Sequence, residues 1–300
     1  MSVLEKGSSN DYLLDYRDGK ILKGLGIGST HLDTHVRFKR GQYNGLLGGS
    51  NTGKTYFATW YFLCLSSQYN LKWALWMDEN SKGKVMRDLI QMYANKKYMD
   101  LTHEQILSFA DIIENWFVFI DNMRSYTPAE LLDTFLEIKP DGVFIDPFNQ
   151  LDHDMTYTSN ISFVRKLKRW CKTNDITAYL SMHPVTSSGR KTNEYPKGHQ
   201  WEGQPMMPTK ANAEGGLLFG NMCDDWINLH RFTKLNDWKY YTLIDIDKVK
   251  DTDTGGEQTS TNEPIMLFYN EGLGFLIDGR DYIKREPIET KKAIVPNDLF

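Results

Sequence analysis

Three hundred residues, 40% hydrophobic and 25% charged, describe an ordinary globular chain of one large or two modest domains. A net charge of −4 excludes nucleic-acid binding by overall charge and leaves local basic patches as the route. The three isolated cysteines, Cys64, Cys171 and Cys223, make neither a disulfide framework nor a zinc-ligand spacing. No apolar run reaches membrane-spanning or signal-peptide form, so the expectation is a soluble protein of the reducing cytoplasm, a host's cytoplasm if the chain is viral.

Residues 1–42 read as an N-terminal arm in which Leu32, Val36 and Phe38 mark a short helix or extended segment ending at Gly41. It either covers a sheet edge or docks on a neighbouring subunit. Next comes a buried strand, 43–48, running into Gly48, Gly49, Ser50, Asn51, Thr52, Gly53, Lys54 and Thr55. That octet fits the phosphate-binding pattern G-x-x-x-x-G-K-[ST]. Its glycines let backbone N–H groups wrap a phosphate. Lys54 would neutralise the β- and γ-phosphates, and Thr55 would offer its hydroxyl to Mg²⁺. The flanks, strand before and helix-compatible run after, favour a nucleotide site over a glycine-rich surface turn.

Further strands are expected at 72–78, 116–121, 141–146 and 176–182, with helices at 54–67, 81–95, 103–113, 127–137 and 159–172 between them. Short apolar runs separated by helices imply crossovers and a parallel sheet, with ligands at the carboxyl ends of the strands. A proline-rich loop spans 184–214, followed by a short helix near 213–221. Strands at 225–230, 239–249, 264–270 and 273–277 then read as antiparallel hairpins on the same sheet. The fold class expected is α/β, a mostly parallel sheet flanked by helices. The division is an arm (1–42), a catalytic domain (43–278) and a charged tail (279–300) ending in Phe300.

The candidate chemistry collects at strand ends. Asp146 closes the apolar run 142–146 and would hold Mg²⁺ beside the phosphate loop. Glu79, two positions past the second strand, is a candidate general base or water positioner; the alternative is a cap for the next helix. His183 ends the 176–182 strand and could sense a γ-phosphate, or be a structural histidine; Gln150 is a second sensor candidate. Beyond His183, Arg190, Lys191, Lys197 and Lys210, interleaved with Tyr195, His199 and Trp201, suit a single-stranded nucleic-acid backbone with some stacking, or else an ordinary solvated loop.

The ordered set GGSNTGKT, ALWMDENS, VFIDPFNQL and YLSMHPV resembles the RecA-like motor domain of DnaB-type replicative ring helicases, nearest the phage and mitochondrial branch, over roughly residues 25–278. The resemblance implies a RecA-like P-loop NTPase in which Lys54 and Thr55 bind ATP and Mg²⁺, Asp146 is the second Mg²⁺ carboxylate, Glu79 activates water and His183 senses the γ-phosphate. It implies an adenine held between Arg231 and Tyr269, and single-stranded DNA carried by the loop after His183. It also implies a homo-oligomer, a hexamer, with sites between subunits, and a separate primase, polymerase or single-strand binding protein as partner. Relatives insert an arginine finger from the neighbour; here the matching strand offers Lys248 and Lys250, which bring charge without a planar fork. An ATP-dependent replicative DNA helicase is therefore expected, with a RecA-like recombinase filament and an ATP-gated loader or regulator as alternatives.

Overall fold

The computed structural model describes residues 3, 5–20, 23–185, 194–260 and 263–285. Alternation of side chains along short apolar strands decides the architecture, because each strand feeds two cores at once. After α1 (Asn10–Arg17) and α2 (Thr30–Asp33), the chain runs β1 (Tyr43–Gly48), α3 (Lys54–Tyr69), β2 (Trp73–Met77), α4 (Lys82–Ala94), α5 (His103–Trp116), β3 (Phe117–Phe119), α6 (Pro128–Ile138) and β4 (Gly142–Asp146). It continues through α7 (Tyr157–Asn174), β5 (Thr177–Met182), α8 (Leu218–Met222), β6 (Asp225–His230), β7 (Tyr241–Val249), β8 (Ile265–Tyr269) and β9 (Phe275–Leu276).

These strands form one sheet in the order β3-β2-β4-β5-β1-β6-β7-β8-β9. The pairings from β3 across to β6 are parallel, and those from β6 to β9 antiparallel. The expected α/β class, with antiparallel C-terminal strands, is what the sheet displays. Leu46, Trp73, Leu75, Phe144 and Tyr179 face one core with α3, α4 and α5. Leu47, Ala74, Trp76, Val143, Ile145, Leu180 and Met182 face the other, with α6, α7 and α8. Thr127 and Thr102 close capping boxes at the starts of α6 and α5, fixing where those crossovers turn into helix. α3 is buried nearly all round, with Phe62 stacked on Trp73 at 3.8 Å, so the element following the phosphate loop lies at the centre of the molecule.

The arm divides in two. Helix α1 buries none of its residues. From Ile27 onward, by contrast, Leu32, Val36 and Phe38 belong to the first core, and Leu25 bridges Phe38. The start of the tail packs as well: Ile283 is in that core, and Arg285 donates to the carbonyls of Tyr93 and Met92 at 2.6 and 2.9 Å. Phe300 lies outside the described residues.

Candidate nucleotide site

The phosphate loop forms where a buried strand must turn into a buried helix within five residues. Gly48 ends β1 so tightly that a Cβ there would stand 2.7 Å from Thr52 Oγ1 and 3.1 Å from the Leu229 carbonyl. Gly53 precedes α3 at φ +87°, left-handed backbone that glycine adopts without strain. Asn51 holds φ 61°, and Thr52 Oγ1 donates to the Gly49 carbonyl at 2.8 Å. The loop thus opens onto the N-terminus of α3, whose first amides lack partners within the helix and attract anions.

A cavity of ≈ 520 Å³ lies there, a size suited to a nucleotide, lined by the loop, Glu79, Asp146 and His183 among others. Lys54, 7% exposed, donates from Nζ to the carbonyls of Gly48 (2.7 Å) and Gly49 (3.3 Å) and lies 3.3 Å from His183 Nδ1. Burial lowers its pKa, and the charges of Asp146 and Glu79 oppose that shift without cancelling it. Thr55 Oγ1 donates to Asp146 Oδ2. A hydroxyl and a carboxylate side by side are hard oxygen donors that fit Mg²⁺, which needs only one or two protein ligands beside phosphates.

His183 lies between Lys54 and Glu79. Burial lowers its pKa, Lys54 lowers it further, and Glu79, Asp146 and Glu214 oppose. Since Lys54 can only donate, the neutral ring accepts at Nδ1 and carries its proton on Nε2, 3.8 Å from Glu79 Oε1. Glu79, 52% exposed at its side chain, stands at the cavity mouth. Parallel register explains the convergence: β2 pairs β4, β4 pairs β5 and β5 pairs β1, so Met77, Asp146, Met182 and Leu47 end side by side.

Other expected residues are placed differently. Gln150 is exposed and does not line the cavity; its neighbour Asn149 does. A 3₁₀ turn over Phe148–Gln150 rotates successive side chains by a third of a turn, sending Phe148 to the core and Asn149 to the cavity. Arg231 and Tyr269 come together, but directly: the guanidinium lies 5.6 Å from the ring centroid and also donates to the Lys239 carbonyl at 3.0 Å. A base between them needs two van der Waals separations of about 3.5 Å each, so the pair as it stands has no room for adenine. Tyr269 also packs edge-on against Tyr56, a residue of the cavity lining, with centroids 5.5 Å apart.

The cations beyond the cavity are largely engaged. Lys248 Nζ donates to the carbonyls of Gly220, Asn221 and Cys223 at 3.1, 2.7 and 2.8 Å, closing the C-terminal end of α8. Lys250 pairs with Asp224 at 3.0 Å, its side chain 49% exposed. Asp224 is buried, which raises its pKa, but the Tyr43 N–H, Lys250 and Lys168 outweigh this and hold it below the usual carboxylate range. Lys210 pairs with Asp247 at 3.1 Å, Lys197 is exposed, and Arg190 and Lys191 lie outside the described residues. Tyr195 and Trp201, expected as stacking surfaces, are instead buried with Phe232 and Leu243.

The sequence reading missed Asn149, Glu214, Lys84 and Asp88, all of them cavity-lining. Lys84 and Asp88, four apart on α4 just after Glu79, could have been found from helical spacing. Glu214 arrives by a loop return that no local pattern announces.

Strand order, phosphate loop and strand-end carboxylates together define a RecA-like P-loop fold. Two solved structures share it at 17% identity. One is described as an ATPase domain, with a TM-score of 0.69 over 91% of this chain and 99% of that one. The other is a DnaB-like replicative helicase described with its primase interactions, with a TM-score of 0.67 over 92% and 67%. The chain is also 22% identical over 237 residues to the Twinkle homolog protein, chloroplastic/mitochondrial, of Arabidopsis thaliana, covering 69% of this chain but only 30% of that protein. No family model matches. The resemblance expected from the motifs, to DnaB-type replicative helicases nearest the phage and mitochondrial branch, agrees with these likenesses. No helix among the described residues is long and apolar enough to cross a membrane.

Proposed function

We propose that the chain is the ATP-hydrolysing motor of a replicative DNA helicase that translocates on single-stranded DNA as a ring, with sites completed between subunits. The observation that carries this reading is the convergence of Lys54, the Thr55–Asp146 pair, Glu79 and His183 on one cavity at the carboxyl ends of the parallel strands.

Each residue then has a role its surroundings suit. A triphosphate competes with the Gly48 and Gly49 carbonyls for the Lys54 ammonium, which neutralises charge on the transferring group. Mg²⁺, held by Thr55 and Asp146, would supply charge neutralisation of the phosphates. Glu79 orients and deprotonates a water at the cavity mouth. The Nε2–H of His183 donates to the phosphate, and its backbone carbonyl holds Glu214 N at 2.9 Å, so a change at the ring passes to the return of the 184–214 segment. Lys197, with Arg190 and Lys191, would face DNA phosphates. Of the two lysines in the finger position, Lys250 is the freer to reach a neighbouring subunit.

The test is phosphate release with and without single-stranded DNA, together with particle imaging. Strong stimulation by DNA, closed rings, and loss of at least about a hundredfold in Lys54→Ala are expected. Filaments would point to a recombinase, and hydrolysis indifferent to DNA but responsive to a protein partner would point to a loader. Unwinding that survives Lys54→Ala would overturn the reading.

A further inference from the structure

Glu214 brings a carboxylate of the loop return to the phosphate end of the cavity. It lines both the main cavity and an adjoining one of ≈ 400 Å³, which it shares with Gly49, Ser50, His183, Pro184 and Val185. Its position is fixed from two sides. Asn149 Nδ2, from the turn after β4, donates to Glu214 Oε2 at 3.1 Å. The backbone zips the two ends of the 184–214 segment together: Glu214 N donates to His183 O, Val185 N donates to Asn212 O at 2.7 Å, and Pro184 bridges Ala213. Glu214 therefore sits at the seam between the ring of His183 and everything that hangs from the segment.

A carboxylate facing the phosphate loop is a poor neighbour for an anion. Asp146 and Glu79 have compensating roles, on a metal and on water, whereas among the described residues the exposed carboxylate of Glu214 has the Asn149 amide as its side-chain partner. His183 and Glu214 line both cavities, whereas Lys54 lines the main one alone, so a diphosphate on the loop would keep its charge against Lys54 and the start of α3 and a third phosphoryl group would bring charge toward His183 and Glu214.

We propose that Glu214 is a positioning residue through which the 184–214 segment reads the γ-phosphate: a triphosphate repels the carboxylate, loosens its hold on Asn149 and shifts the seam, and a diphosphate lets it return. The proposal rests on the cavity being an ATP site. It gives the segment a response that the neutral imidazole of His183 cannot supply alone, since His183 attracts the γ-phosphate while Glu214 is pushed by it. A merely structural tie between loop and turn would affect both nucleotides alike.

The test measures Kd for ADP and for a non-hydrolysable ATP analogue by calorimetry on the full chain. Glu214→Gln keeps the shape and the acceptor oxygen and removes the charge. It is expected to tighten the analogue about tenfold, a 1.4 kcal/mol change, while ADP moves by less than about twofold. Glu214→Asp, which keeps the charge, is expected to stay near the wild-type ratio, and the effect of Glu214→Gln shrinks at high salt as screening grows. Equal shifts for both nucleotides, or none for either, overturn the proposal. Lys54→Ala keeps the two readings apart: if the wild type binds neither nucleotide, or Lys54→Ala binds both as well as the wild type, the ATP site itself fails and the role of Glu214 falls with it.

Discussion

The parallel half of the sheet and its antiparallel end treat polar side chains in opposite ways. At the carboxyl ends of β1, β2, β4 and β5, Glu79, Asp146 and His183 face one cavity with few contacts among them, and Lys54, though it donates to the Gly48 and Gly49 carbonyls, lines the same cavity. Around β6, β7 and β8, the long cations are spent inside the fold: Lys248 on three carbonyls, Lys210 on Asp247, and Arg231 on Tyr269 and the Lys239 carbonyl. Side chains in the first region line an open cavity. Those in the second fasten β7 and its neighbours to the loops and helix beside them, so any role for them toward another subunit competes with a structural one.

Removing a function from the first region should therefore leave the fold alone. Glu79→Gln is expected to slow hydrolysis by about 10²–10⁴-fold, the range for losing a general base. Stability should stay within about 0.5 kcal/mol, as for a half-exposed surface substitution. Phosphate release and a thermal melt on the same preparation check both halves of the statement. A melting point that falls with the rate would erase the distinction between the two regions.

That distinction also explains what could be read in the sequence. The strand ends were legible because a strand buried on both faces must be apolar until it stops, so a carboxylate or histidine at its end is conspicuous; Asp146 and His183 are seen in this way. Gln150 was misplaced because a single 3₁₀ turn decides whether it or Asn149 faces the cavity, and nothing in Phe-Asn-Gln announces that turn. The loop after His183 misled more deeply. Its aromatics look exposed because prolines and charges surround them, yet Tyr195 and Trp201 find partners in the β6–β7 connection and on β7 that lie far along the chain. Local polarity does not reveal a distant apolar partner.

Trp201 sharpens the comparison next. It is 2% exposed, and its ring meets Tyr195, Phe232 and Trp238 at 5.1, 5.1 and 5.4 Å. Trp201→Ala is expected to cost about 3–5 kcal/mol, the usual range for deleting a buried aromatic. Because this cluster stands apart from the two sheet cores, the loss should appear first as faster amide exchange across 194–214, with a smaller effect on global denaturation. An unchanged exchange pattern with weakened DNA binding would make Trp201 a stacking platform after all.

The smallest effect separates the two lysines in the finger position. Lys248→Met takes one ammonium from three carbonyls at the end of α8, of which that of Gly220 keeps the Cys223 thiol at 3.0 Å. Water can reach the Asn221 carbonyl, so the cost is expected at about 1–3 kcal/mol rather than the sum of three bonds. In domains of 150–250 residues that corresponds to about 2–4 °C in Tm per kcal/mol. Lys250→Ala removes a half-exposed lysine but leaves the buried Asp224 with Lys168 and the Tyr43 N–H, and should cost about 1 kcal/mol, the net worth of one hydrogen bond. Its effect on DNA-stimulated hydrolysis should be larger than its effect on the melt. The opposite result, a stable Lys248→Met protein with lost hydrolysis, would mean that Lys248 leaves its carbonyls in the assembled protein, and that the end of α8 is held by something other than its own lysine.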